Sequence, residues 1–164
     1  MKRTIVRCAI LALFLALPMA AQSGVWTAVG STGSIDEASL GIYVVNTTNL
    51  FHQAGALGTV VSRFNVTNTF GGGLTDTPPW NTLELTYFDI AAAGSVSATL
   101  FQVARCSNVA TVVCGVTSVD ATAPTCVSCT FAGLNFAANN YVVEVRVNRT
   151  AANVVPQLFG LRIF

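Results

Sequence analysis

Lysine is nearly missing: after Lys2 the 164-residue chain has none. That excludes Schiff-base and lysine-nucleophile chemistry, and lysine-to-asparagine cross-links with it. It also withdraws a common guard against strand-edge aggregation, so edges must be protected by Gly, Pro, bulges or a covering partner. Histidine occurs once, at His52 in NLFHQAG, and charged residues make up only 9% of the chain. Without a Gly-x-Ser-x-Gly elbow or a His-x-x-Glu-His arrangement, a single histidine completes no catalytic triad or zinc-protease site. Next to a strand it is expected at the surface or half-buried.

Positive charge is sparse as well. Beyond position 21 the basic residues are Arg63, Arg105, Arg146, Arg149 and Arg162, against seven acids. No basic patch results, so neither nucleic acid nor anionic lipid is an expected partner. The sustained apolar run Cys8 to Leu17 falls well short of the roughly 20 residues a spanning helix needs. Lys2, Arg3 and Arg7 precede that run, and Pro18, Ala20 and Ala21 follow it. This is the layout of a secretory signal peptide. It predicts a leader over 1–21, a single domain over 22–164, and delivery to the periplasm, the cell surface or the medium.

What is present is strand-forming. In NYVVEVRVN, Tyr141, Val143, Val145 and Val147 share one face, and Glu144, Arg146 and Asn148 the other. TLELTYF sets Leu83, Leu85 and Tyr87 against Glu84 and Thr86, and VVSRFNVTN sets Ser62, Phe64 and Val66 against Arg63 and Asn65. QLFGLRIF is read with Phe159, Leu161 and Ile163 inward, and SVSATLFQVA, apolar on both faces, as a central or bulged strand. The one helical signal, SIDEASL, has Ser34 and Glu37 at capping-box spacing and supports a turn or two. Together these predict an all-β fold, an antiparallel β-sandwich of jelly-roll or Greek-key type. A long aperiodic loop, Thr67 to Asn81, carries Asp76 and Trp80. Loops of this length are often functional, so both residues are ligand-binding candidates, while packing of Trp80 as a lid on the sandwich end is the plainer expectation.

Four cysteines remain after the leader: Cys106, Cys114, Cys126 and Cys129. Only Cys126 and Cys129 form a close pair, which is too little for a zinc site, and TCVSCTF sits among strand formers, which is wrong for a redox helix. Secretion and an even count predict two structural disulfides. Facing parity favours Cys114 with Cys129 and Cys106 with Cys126.

Three functions fit this sequence, and no cofactor or metal is implied by any of them. The first is a non-catalytic structural protein of the cell exterior that associates with itself through strand edges, with SGVWTAVGSTGS as a segment for exchange between subunits. The second is a module binding surface glycan or another ligand, for which two or three of Trp26, Tyr43, Trp80, Tyr87 and Tyr141 would have to face solvent. The third is a small hydrolase using Glu84 and Glu144, which requires those carboxylates to meet across a groove.

Overall fold

β-Branched residues at alternate positions decide the architecture, because each strand then has one face that must leave water. The computed structural model describes residues 24–73, 75–107 and 109–164. The leader and its cleavage point lie outside the described residues. Within them the strands are β1 (Trp26–Val29), β2 (Ser34–Ile35), β3 (Tyr43–Val45), β4 (Leu50–His52), β5 (Gly58–Val66) and β6 (Thr82–Phe88), then β7 (Gly94–Ala104), β8 (Ala110–Thr117), β9 (Thr125–Thr130), β10 (Asn139–Arg149) and β11 (Gln157–Ile163).

These strands make two antiparallel sheets. One runs β3-β4-β11-β6-β9, with β1 also on β11, and the other runs β2-β5-β10-β7-β8. From β4 to β7 every step along the chain changes sheet, β7 and β8 form a hairpin, and from β8 to β11 every step changes sheet again. The resulting layers, β4-β11-β6-β9 over β5-β10-β7-β8, are a jelly roll, one of the two expected arrangements. The inward sets of β5, β6 and β10 are those read from the sequence: Leu83, Leu85, Tyr87, Val143, Val145 and Val147 are fully buried.

Two local readings are corrected. In β11 it is Leu158 that is buried, with Phe159 half-exposed. The register against β6 shifts between Leu158 and Gly160, so a bulge at Phe159 resets the alternation before Leu161 and Ile163. In SIDEASL, Ser34 belongs to β2, opposite Arg63. The cap of the short 3-10 turn Glu37–Ser39 is instead Asp36, whose carboxylate accepts from the Ala38 N–H at 3.0 Å. The reading of SVSATLFQVA as central or bulged holds on both counts: β7 lies between β10 and β8, and its register with β8 shifts between Leu100 and Phe101.

Among the described residues one disulfide forms, the first of the two expected. Cys114 and Cys129, with Cα atoms 6.1 Å apart, join β8 to β9, the terminal strands of different sheets. The expected second bridge does not: Cys106 and Cys126 carry free, exposed thiols. Two facts separate them. Cys126 is three residues from the inward Cys129 along a strand and so points to the opposite face. Cys106 lies in the β7–β8 turn, at the sandwich end that β9 approaches with Thr130, whereas Cys126 lies toward the other end of β9. By strand rise they are roughly 20 Å apart, far beyond disulfide reach.

His52 is also corrected, since it is 2% exposed. Its Nε2–H donates to the Gly58 carbonyl at 3.0 Å, and Nδ1 is buried without a partner among the described residues. Burial holds its pKa below the ordinary histidine value, and the Arg149 charge acts in the same direction. Between that lowered value and about pH 6.5 the unfolded chain binds more protons than the folded one. The stabilisation is therefore complete above about pH 6.5 and is lost as pH falls through the folded pKa. The urea midpoint of the wild type is expected to drop more between pH 7.5 and pH 5 than that of His52→Gln; equal drops would show that this ring does not report the pH change.

Candidate functional site

The sandwich end where β6 and β10 begin carries a cleft built from two loops. The first is the end of the long loop, Thr77 to Asn81; the second is the β9–β10 connection, Ala132 to Asn135. Consecutive left-handed glycines, Gly71 (φ 55°) and Gly72 (φ 69°), turn the long loop back on itself, a conformation that residues with a Cβ rarely adopt. Backbone bonds then hold it down: the Asn81 N–H donates to the Phe164 carbonyl at 2.9 Å, and the Phe131 N–H to the Asn81 carbonyl at 2.8 Å.

Trp80 is 3% exposed, and its indole N–H donates to the Gly24 carbonyl at 2.8 Å. Its ring meets Phe136 edge-on at 6.1 Å between centroids, and Phe136 meets Tyr141 at 4.9 Å. The Tyr141 hydroxyl accepts from the Asn135 N–H at 2.7 Å, which ties the second loop to β10. Asp76 does not join this arrangement through its carboxylate. Its side chain is exposed, and its backbone carbonyl accepts from the Phe136 N–H at 2.7 Å. Trp80 thus lies under the cleft as a packed floor, and Asp76 anchors one loop to the other.

The space enclosed is about 450 Å³. No charged side chain lines it, and Asn81, Gln102 and Asn135 contribute amide-bearing residues to its wall. None of these three stands out in the sequence; the available signal is Gln102 as a polar interruption of the apolar run in β7. Trp26, Tyr87 and Tyr141 are, like Trp80, at most 5% exposed, and Tyr43 is half-buried. Trp and Tyr rings therefore provide no open stacking platform among those five.

The expected carboxylate pair is not brought together. Glu84 is on the outer face of one sheet, bound by Arg162 at 3.2 Å, and Glu144 is on the outer face of the other, between Arg63 at 3.0 Å and Arg146 at 2.9 Å. The core of the sandwich separates them. Arg63 also reaches Asp36 at 2.7 Å, and that hydrogen bond is the main reason the Asp36 carboxyl titrates below its ordinary range. Among the described residues no three His, Cys, Asp or Glu side chains gather as metal ligands, and no helix is long and apolar enough to cross a membrane. The segment considered for strand exchange is occupied in its own molecule: β1 pairs with β11 from Trp26 opposite Ile163 to Val29 opposite Gly160.

The chain is similar to solved structures at low sequence identity. One is the K1 cleaved adhesin domain of Lys-gingipain from Porphyromonas gingivalis W83, with 11% identity and a TM-score of 0.48 over 86% of this chain and 98% of that one. Another is the carbohydrate-binding module CBM36 in complex with calcium and xylotriose, at 7% identity and a TM-score of 0.44, covering 85% of this chain and 99% of the module. A third is an exo-beta-1,3-galactanase from Phanerochaete chrysosporium with galactose, at 10% identity and a TM-score of 0.46. The match covers 86% of this chain and spans 29% of that enzyme. No family model and no curated protein matches the chain.

Proposed function

We propose that this chain is a secreted, non-catalytic jelly-roll module that binds a neutral polar ligand of the carbohydrate class in the cleft between Thr77–Asn81 and Ala132–Asn135. The rings are buried, so the stacking form expected from the sequence is not available; the observation that carries this reading is the cleft's hydrogen-bonding wall, amides and a threonine with no charge. Sugar hydroxyls need neighbouring donors and acceptors, which a side-chain amide supplies together, while a charge-free wall gives an ionic ligand nothing to pair with. No carboxylate or histidine lines the cleft, so it lacks the acid pair through which most glycosidases work. Secretion is supported by the leader pattern at residues 1–21 and by a disulfide, a bond that persists in oxidising compartments.

The test is calorimetric titration against a panel of neutral and acidic oligosaccharides. At least one neutral member is expected to bind, and Gln102→Ala is expected to weaken it about tenfold, the worth of one well-made hydrogen bond, with the thermal midpoint unchanged. A panel with no binder, or a binder indifferent to Gln102→Ala, would remove the reading.

A further inference from the structure

We propose that β8 is a self-pairing edge, through which two copies of the chain join antiparallel about a two-fold axis so that their β2-β5-β10-β7-β8 sheets become one continuous sheet. The interface is independent of the cleft at the sandwich end.

β8 closes the order of its sheet, so among the described residues one side of its backbone has no strand beside it. It is eight residues long, whereas β2, at the other end of the same sheet, has two, and β3, at one edge of the opposite sheet, has three. Short edges are blunt, and this one is long. Of the usual guards it has a bulge at Val113 and Gly115, but from Cys106 to Val119 the chain has neither a charged residue nor a proline.

Exposed apolar side chains gather here. Val109, Val112 and Val119 are 56%, 63% and 65% exposed, on β8 or within two residues of its ends. Val112 stands opposite Phe101, and Phe101, Val103 and Val142 line an apolar groove of about 260 Å³ that reaches β8 at Ala110. The charges of this sheet face, Asp36, Arg63, Glu144 and Arg146, are bound to one another, and Arg63 and Glu144 close the end of that groove away from β8. The Cys114–Cys129 bridge fixes the middle of β8, so little order remains to be imposed on pairing.

A second copy is the occupant these features select. Two-fold antiparallel pairing sets the residues nearest the axis against their own copies, where a charge would meet its own sign; a charge-free edge avoids that repulsion. A charged peptide finds no complement along β8. A second copy also sets its own Val112 and Phe101 strip beside the first, which shields apolar surface on both.

The experiment is sedimentation equilibrium over a wide concentration range on the double variant Cys106→Ser, Cys126→Ser, which removes thiol-linked dimers. A concentration-dependent dimer is expected. Val112→Lys is expected to raise its dissociation constant at least about tenfold, and Thr59→Lys, on β5, to leave it unchanged. If Val112→Lys does not fold, Ala110→Lys serves in its place. A monomer at all concentrations, a dimer indifferent to the β8 changes, or an open-ended filament would overturn the proposal.

Discussion

Replacing Arg149 by Met is expected to destabilise the fold by about 3 kcal/mol, the sum of several charge-assisted hydrogen bonds lost together. Arg149 is the last inward residue of β10 and is 3% exposed. Its cross-strand neighbours are Gly58 and Gly94, which leave room for the long side chain to run past the end of the core. There the guanidinium donates to the carbonyls of Ala151, Ala152, Gln53 and Ala56 in two loops, where Gln53 and Ala151 also accept from the backbone N–H groups of Ala56 and Val154. None of the partners is a carboxylate. The cation is held by backbone dipoles, and Met would fill the buried space while removing the charged donor from all four carbonyls, which lie on half-buried or exposed loops. Arg149→Lys keeps the charge but has a single donor group, so about half the loss is expected. Urea denaturation at pH 7.5 reads both. A loss below about 1 kcal/mol for Arg149→Met would mean that water replaces the guanidinium at those carbonyls.

Reduction of the Cys114–Cys129 bridge is expected to cost a similar amount, about 3 kcal/mol for a closed loop of this size. The sequence separation of 15 sets the figure through the entropy returned to the unfolded chain. The double change Cys114→Ala, Cys129→Ala should match the effect of reductant on the wild type and should make the protein insensitive to reductant. Cys106→Ser and Cys126→Ser should each move the midpoint within about 0.5 kcal/mol, as expected for exposed positions. The contrast separates the bridged pair from the free pair: loss of stability from either serine change would show that these thiols pair after all. Because the bridge is the covalent link between the two sheets, its reduction should first loosen the β8–β9 side. Hydrogen exchange should therefore rise in 110–130 before it rises in β10.

The inward faces of β5, β6 and β10 were legible because period-two alternation is a direct image of burial. The alternation fails as a guide where the backbone inserts a residue: the pattern of QLFGLRIF does not place the bulge at Phe159, although Gly160 beside it is the residue type that marks one. The separation of Cys126 from Cys129 was available, since two thiols three apart on a strand face opposite ways. Facing parity found the Cys114–Cys129 bridge, and what hid the failure of Cys106 and Cys126 to pair was topology. β8 and β9 are consecutive in sequence but terminate different sheets, so adjacency along the chain did not mean adjacency in a sheet. His52 and Arg149 were illegible for a related reason: a polar residue at the end of a strand reads as solvated until the loops that cover it are known. The cleft amides are a third case, because Asn81, Gln102 and Asn135 come from three segments that only the folded sandwich brings together.

The pairing of β1 with β11 carries a consequence in time. The first described strand is held by the last, and β11 also supports β4 and β6. A chain emerging from a ribosome or through a membrane pore, N-terminus first, cannot close this sheet until its final residues are free. The Cys114–Cys129 loop is local and can oxidise early, but the remainder must wait, with its valine-rich strands unpaired. Until β11 docks, the chain is an open thread and not a finished sandwich, so its last strand sets the moment at which its first can be held.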